Sequence, residues 1–326
     1  MSFKNLVFSG GGVLGIAYIG LLHSLYEHHI IEDIQRVAGT SAGAITACLT
    51  SFNLSFDELK SLADSLDYTN IPLKDASDGE KIFSNSVKEP DRFFDNFDCV
   101  YRFLKHYGWY SSNYFYNWIK AQIANQFNPL LKLPPYTFAD FKDTQLHKDE
   151  RPFKDLYMIG TDITNGSYSI FSYETTPTME VAEAVRISMS IPLFFECIQS
   201  SSAAASPKTS SHIYSDGGLL YTYPINLFDK EDPLEATLGC LVKSDSRPKS
   251  INNIIDFISS IIICATSLQY KIYQDDPSAT SRTIEINTGQ ISTMDFNIKP
   301  RDSTYNYLYN QGYTTTEIFS SKFIIL

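Results

Sequence analysis

Lys4-Asn5-Leu6-Val7-Phe8-Ser9-Gly10-Gly11-Gly12-Val13-Leu14-Gly15 opens with a short apolar run that three consecutive glycines break. Beyond them Leu14, Ala17, Tyr18, Leu21, Leu22 and Leu25 recur at helical spacing, so the stretch reads as strand, glycine turn and helix. Arg36-Val37-Ala38-Gly39-Thr40-Ser41-Ala42-Gly43 repeats the pattern, with the apolar segment Ala44 to Leu49 behind it. Two such units within the first fifty residues predict an α/β fold with a parallel, helix-covered sheet.

Each turn has a chemistry of its own. Gly10 to Gly15 contains G-x-G-x-x-G, and glycine N–H groups at a helix N-terminus stabilise a phosphate or an oxyanion equally well. A dinucleotide site would also need an acid at the end of the second strand to hold the ribose hydroxyls. Glu32 and Asp33 have about the right spacing but precede that strand. Gly39 to Gly43 is G-x-S-x-G, whose small residues permit the strained turn that projects a serine hydroxyl from a sheet. The plainer reading of Ser41 is a helix N-cap. Neighbouring parallel strands ending in these two turns would set the serine beside the glycine amides, the arrangement acyl transfer needs.

A serine nucleophile requires a base. His23, His28 and His29 fall on or just after the first helix, and His106 and His147 in an irregular region, which leaves His212 beside a plausible site. Asp216, in Asp216-Gly217-Gly218 after the short strand Ile213-Tyr214-Ser215, is the other candidate. Its glycines allow close backbone approach, although D-G-G is also a common plain turn.

In this order the three motifs resemble the patatin-like phospholipase family. The resemblance extends through Gly160-Thr161-Asp162 with Gly166, through Ala184-Val185-Arg186-Ile187-Ser188 leading to Pro192 and Phe195, and weakly through Thr283 to Gly312. It implies a patatin-like three-layer α/β/α sandwich, with a mainly parallel central sheet and a helical insertion, as a single domain over residues 1–326. Ser41 would be the nucleophile and Asp216 its base in a two-residue dyad. The amides of Gly10, Gly11 and Gly12 would form the oxyanion hole, with Gly15, Gly39, Gly43, Gly217 and Gly218 supporting the motifs. The implied substrate is a phospholipid or lysophospholipid at a membrane surface, cleaved through an acyl-enzyme without metal or cofactor. Two positions depart from the family pattern: Leu14 replaces a usual basic residue, and Tyr223 replaces the asparagine before Pro224. The competing readings are a Ser41–Asp162–His212 triad, a nicotinamide-dependent oxidoreductase, and a silent module that binds lipid or protein.

Residues 70–150 lack a βα rhythm and read as a mainly helical insertion; residues 93–118 within it hold twelve aromatics against four charges. Trp109 and Tyr110, after Gly108, are expected as an exposed pair that meets a membrane interface. Leu156 to Gly160 and Ser167 to Ser172 read as a hairpin around Asn165-Gly166. Ser200 to Ser211 is low in complexity and reads as a mobile loop beside Asp216, which motivates a protein activator that opens the site. Ile251 to Ala265 is the strongest apolar stretch, too polar for a membrane span and read as a buried helix.

A net charge of −11 over 326 residues, with no basic block, argues against nucleic acid as a partner. Five scattered cysteines without C-x-x-C spacing argue against a disulfide framework or zinc knuckle and fit a reducing compartment. The early glycines interrupt any signal-peptide core, so the expectation is a cytoplasmic protein peripherally associated with membrane.

Overall fold

Asn5–Phe8 (β1) and Arg36–Thr40 (β2) pair in parallel in the computed structural model, with Asn5 opposite Arg36 and Phe8 opposite Gly39. The structure describes residues 3–72, 97–200, 212–245, 250–252 and 254–324. The remaining strands are Gly108–Tyr110 (β3), Asp155–Asp162 (β4), Ser167–Phe171 (β5), Leu193–Phe195 (β6), Ile198–Ser200 (β7), His212–Asp216 (β8), Thr237–Lys243 (β9) and Thr283–Asn287 (β10). The main sheet runs β10-β9-β1-β2-β4-β8-β7, with β5 on β4. The run from β10 to β4 is parallel, whereas β8, β7 and β5 join antiparallel.

The longer helices are Ala17–Glu27 (α1), Ala42–Ser51 (α2), Phe56–Asp64 (α3), Phe97–His106 (α4), Asn113–Ala124 (α5), Val181–Met189 (α6), Ile254–Gln274 (α7) and Ser303–Ile324 (α8). Strand alternation sorts the core. Leu6, Phe8 and Val37 face a large cluster built with α1, α2, α6 and α8, while Val7 and Ala38 face the opposite side, against Phe228. Each fully buried Leu or Phe contributes about 2 kcal/mol. The second face is closed by Ile225, Leu241, Ala279 and Tyr273 near the end of α7. Ser55 starts α3 with a capping box, accepting from the Glu58 amide while the Glu58 carboxylate accepts from the Ser55 amide. The fold is an α/β sandwich with a mostly parallel sheet, the architecture the resemblance implies.

The β4–β5 hairpin has the expected position, with Asp162 opposite Ser167 and Gly166 at φ +63°. In the insertion, residues 73–96 lie outside the described set, as do residues 201–211 of the expected loop. The described part of the insertion holds α4 and α5 but also β3, which pairs in parallel with β6. Trp109 and Tyr110 lie in this short strand. Both are half-buried, with ring centroids 6.2 Å from Phe103 and 4.8 Å from Phe194 respectively, so the expectation of an exposed pair fails.

Helix α7 also differs from expectation. Ile258 and Tyr273 are buried and Ile262 packs on the core, whereas Phe257, Ile261, Leu268 and Ile272 are 49%, 46%, 63% and 64% exposed. The helix therefore presents an apolar face outward. Among the described residues no helix is long and apolar enough to cross a membrane.

Candidate active site

Strand β4 is the template for the site. Its residues Ile159 and Gly160, adjacent in sequence, lie opposite Thr40 of β2 and Asp216 of β8. Because β5 occupies the other edge of β4 over Met158 to Asp162, β2 and β8 share one edge and meet end to end. Ser41 follows the last residue of β2, and Asp216 is the last residue of β8. Their side chains meet: Ser41 Oγ donates to Asp216 Oδ2 at 2.6 Å, with the two residues 7% and 4% exposed.

Ser41 sits at φ +55°, ψ −122°, a conformation that costs on the order of 1–3 kcal/mol for a residue with a side chain. Its surroundings hold it there. The Ser41 amide donates to Ser188 Oγ at 2.9 Å, and Ser188 Oγ donates to the Ile159 carbonyl at 2.6 Å. Thr40 Oγ1 donates to the Tyr221 carbonyl at 2.9 Å. At Gly43 a Cβ would stand 2.5 and 2.6 Å from the Phe8 and Ser9 carbonyl oxygens, so helix α2 seats this close to β1 only with glycine there. Gly39 faces the Gly43 carbonyl and Gly15 faces Ala42 at similarly short range.

Asp216 is fixed from every side. Its Oδ1 accepts from the Gly218 amide at 2.7 Å, its amide donates to the Ser190 carbonyl at 2.8 Å, and its carbonyl accepts from Thr161 Oγ1 at 2.8 Å. A Cβ on Gly217 would lie 2.3 Å from the Ile159 carbonyl oxygen, which accounts for the first glycine of D-G-G. Burial pushes the Asp216 carboxyl up to about 7, against the opposing hydrogen bonds from Ser41 and Gly218. A carboxylate so desolvated is basic enough to take a proton near neutrality.

The glycine turn abuts the serine: a Cβ on Gly10 would be 3.4 Å from Ser41 Cβ. Tyr18, fully buried, anchors the turn through 2.8 Å hydrogen bonds to the hydroxyl and carbonyl of Ser9. The three glycines expected as oxyanion donors are not equivalent. Gly10 N–H is already engaged by the Thr222 carbonyl at 2.9 Å, while among the described residues no hydrogen bond engages the amides of Gly11 and Gly12. Gly10 is therefore a structural residue of the turn, and Gly11 and Gly12 are its available donors.

Two residues here were not singled out from the sequence. Ser188 lies in a quoted motif but its role as a brace was not visible. Gln269 of α7 accepts from the Thr222 amide at 2.7 Å and donates to the carbonyls of Gly218 and Leu219 at 3.1 and 3.2 Å. One side chain thus touches both the Asp216 turn and the residue that holds Gly10. The available signal was a single long amide in an uncharged run from Phe257 to Tyr270.

The competing constellations are apart. His212 Nδ1 meets Asp162 Oδ2 at 2.7 Å, and Asp162 also accepts from Asn165, closing the hairpin loop onto β8. His212 starts the strand that Asp216 ends, about 13 Å away at 3.3 Å per residue. Glu32 and Asp33 precede β2, at the end of the strand remote from the glycine turn. Leu14 is buried in the core, and the Tyr223 hydroxyl meets Thr283 Oγ1 at 2.8 Å.

The sandwich and the turns that crown it have the layout of an α/β lipid hydrolase. The family model described as patatin-like phospholipase matches residues 6–229, and the chain belongs to that family. An uncharacterized protein R571 of Acanthamoeba polyphaga mimivirus is 26% identical over 93% of this chain and 89% of its own length. A probable lipid hydrolase 463L of Invertebrate iridescent virus 6 is 26% identical over 69% of this chain and 63% of its own length. Among solved structures, VipD from Legionella pneumophila superposes with a TM-score of 0.61 at 20% identity, covering 99% of this chain and 67% of VipD. That likeness concerns the fold.

Proposed function

We propose that this chain is a lipid acyl hydrolase of the phospholipase A or lysophospholipase type, working through a Ser41–Asp216 dyad within one patatin-like domain. The observation that carries the reading is the 2.6 Å hydrogen bond from a strained, buried serine hydroxyl to a buried carboxylate. Asp216 takes the Ser41 proton as Oγ attacks the acyl carbonyl, and the amides of Gly11 and Gly12 stabilise the tetrahedral oxyanion. Collapse of the intermediate expels the alcohol, which receives the proton from Asp216. Water, deprotonated by the same carboxylate, then attacks the acyl-serine and releases the fatty acid.

The lipid substrate resides in a bilayer, and the outward face of α7 supports a peripheral encounter with one. The run Phe257 to Tyr270 carries no charged side chain in a chain of net charge −11. Anionic surfaces repel such a chain, so an uncharged apolar helix is the natural contact. Through Gln269 that helix is bonded to the turn that follows Asp216, so a contact on this face would lie close to the proposed site.

The deciding experiment compares native protein and Ser41→Ala on phosphatidylcholine and lysophosphatidylcholine vesicles, measuring released fatty acid. The variant is expected to keep its circular dichroism spectrum and lose at least about a thousandfold in rate. Undiminished release by the variant overturns the reading.

A further inference from the structure

The two amides left open for an oxyanion, those of Gly11 and Gly12, are bracketed by two that are fastened. Gly10 N–H donates to the Thr222 carbonyl at 2.9 Å, and Val13 N–H donates to the Thr293 carbonyl at 3.1 Å. Glycine has the widest backbone freedom of any residue, so three in succession keep the geometry of an oxyanion hole only where neighbours impose it. Donors that must reorient as charge develops lose much of their effect. The second fastening comes from outside residues 6–229, the stretch that the family model matches. Gly12 marks how closely it approaches: at φ +55°, and with a Cβ there standing 2.1 Å from the Thr293 carbonyl oxygen, this position takes only glycine.

Thr293 belongs to a segment, residues 288–298, that leaves β10, crosses the glycine turn and meets β6. It is tied on both sides of the crossing. On the first side Thr288 N–H and Oγ1 each donate to the Lys243 carbonyl at 2.9 Å, and Asp245 N–H donates to the Gly289 carbonyl at 2.7 Å. Ser244 Oγ donates to the carbonyls of Ile291 and Gly289 at 2.7 and 3.2 Å. On the second side the Phe296 ring stacks on Phe194, with centroids 5.6 Å and planes 18° apart, and meets Phe195 edge-on at 6.2 Å. Ile298, buried in the main core, completes this second tie.

We infer that residues 288–298 are a positioning strap for the oxyanion hole, and that the Ser244 hydroxyl sets the strap against Gly12 and Val13. The inference rests on the hydrolase reading above and adds a C-terminal segment to the machinery. By holding the peptide between Gly12 and Val13, the strap keeps the Gly11 and Gly12 amides aimed where the ester oxygen gains charge. That charge arises as Ser41 Oγ bonds to the carbonyl carbon, its proton passes to Asp216, and the C=O electron pair moves onto oxygen. The strap therefore favours the tetrahedral species over the bound ester.

The test compares native protein with Ser244→Ala, Ser244→Thr and Phe296→Leu on a soluble four-carbon p-nitrophenyl ester. Inhibition by a short alkyl trifluoromethyl ketone, whose serine adduct carries the same oxyanion, is measured alongside. Ser244→Ala should lower kcat about tenfold, leave KM within about twofold, and raise the ketone's inhibition constant by the same factor as kcat falls. Ser244→Thr keeps the hydroxyl and restores both. The pH midpoint of kcat/KM stays at the native value, because Asp216 keeps its bonds to Ser41 and Gly218. Phe296→Leu loosens the other tie and gives the same signature; should Ser244→Ala fail to fold, it carries the test alone. Unchanged ketone inhibition in both variants, with turnover still dependent on Ser41, overturns the strap, and so does a loss that appears in KM or in the pH midpoint. Equal turnover by native protein and Ser41→Ala overturns instead the hydrolase reading, and the strap with it.

Discussion

Replacing Asp216 by asparagine should abolish hydrolysis and stabilise the protein, by an amount that depends on pH. The native carboxyl is 4% exposed, and burial lifts it from 3.8 to about 7. A carboxyl whose folded value lies above its unfolded value supports the fold while protonated. That support is complete below the unfolded value, falls as pH rises, and is lost once pH passes the folded value. A lift of about three units corresponds to about 4 kcal/mol withheld from stability in alkaline solution. The amide of Asp216→Asn keeps an acceptor for the Gly218 N–H and a hydrogen bond to Ser41, and it does not titrate. Between pH 5 and pH 8 the stability gap between variant and native should therefore widen by about 3 kcal/mol in favour of the variant. For a chain of 326 residues this is about 4 °C in Tm, read by circular dichroism melts of both proteins at both pH values. Other titrating groups are common to both proteins and cancel in the difference. A gap equal at the two pH values, or one that narrows toward pH 8, refutes the buried-base argument.

Gln269→Ala frees the carbonyls of Gly218 and Leu219 and the Thr222 amide, slackening the Gly218 N–H bond that holds the Asp216 charge; the rise of kcat/KM with pH for a short-chain ester should move up by about half a unit. A lower rate with an unmoved midpoint would reduce Gln269 to packing. Ile261→Asn with Leu268→Asn on the exposed face of α7 should lower the vesicle-bound fraction in flotation about tenfold and leave turnover of a soluble short-chain ester unchanged, whereas equal loss in both assays would make the face structural.

The first two strand-turn-helix units were legible because everything that specifies them is local: an apolar run, glycines where the backbone must approach another, and helical spacing behind. The limits of that legibility follow from what is not local. Strand β3 is three residues long, and its partner β6 lies beyond β4, β5 and α6, so no periodicity announces the pairing that holds the segment of Trp109 and Tyr110. The run in α7 is apolar whether the helix is buried or faces outward, since composition says nothing of which neighbours exist. The three glycines of the turn look alike in sequence, and only the Thr222 carbonyl separates Gly10 from Gly11 and Gly12.

The proposed base is selected by register. Asp162 and Asp216 both lie where β4 meets β8, and on β4 the positions two rungs apart, Gly160 and Asp162, face Asp216 and Tyr214. A slip of one residue would turn every β8 side chain to the other face of the sheet and carry the Asp216 carboxylate away from Ser41. What prevents it is the close fit of Gly217 against the Ile159 carbonyl, together with the bonds from the Asp216 backbone to Ser190 and Thr161. The motif D-G-G therefore specifies the aspartate less by supplying a carboxylate, which Asp162 could also supply, than by supplying the glycine that lets β8 stop at the one rung where its last side chain meets the serine.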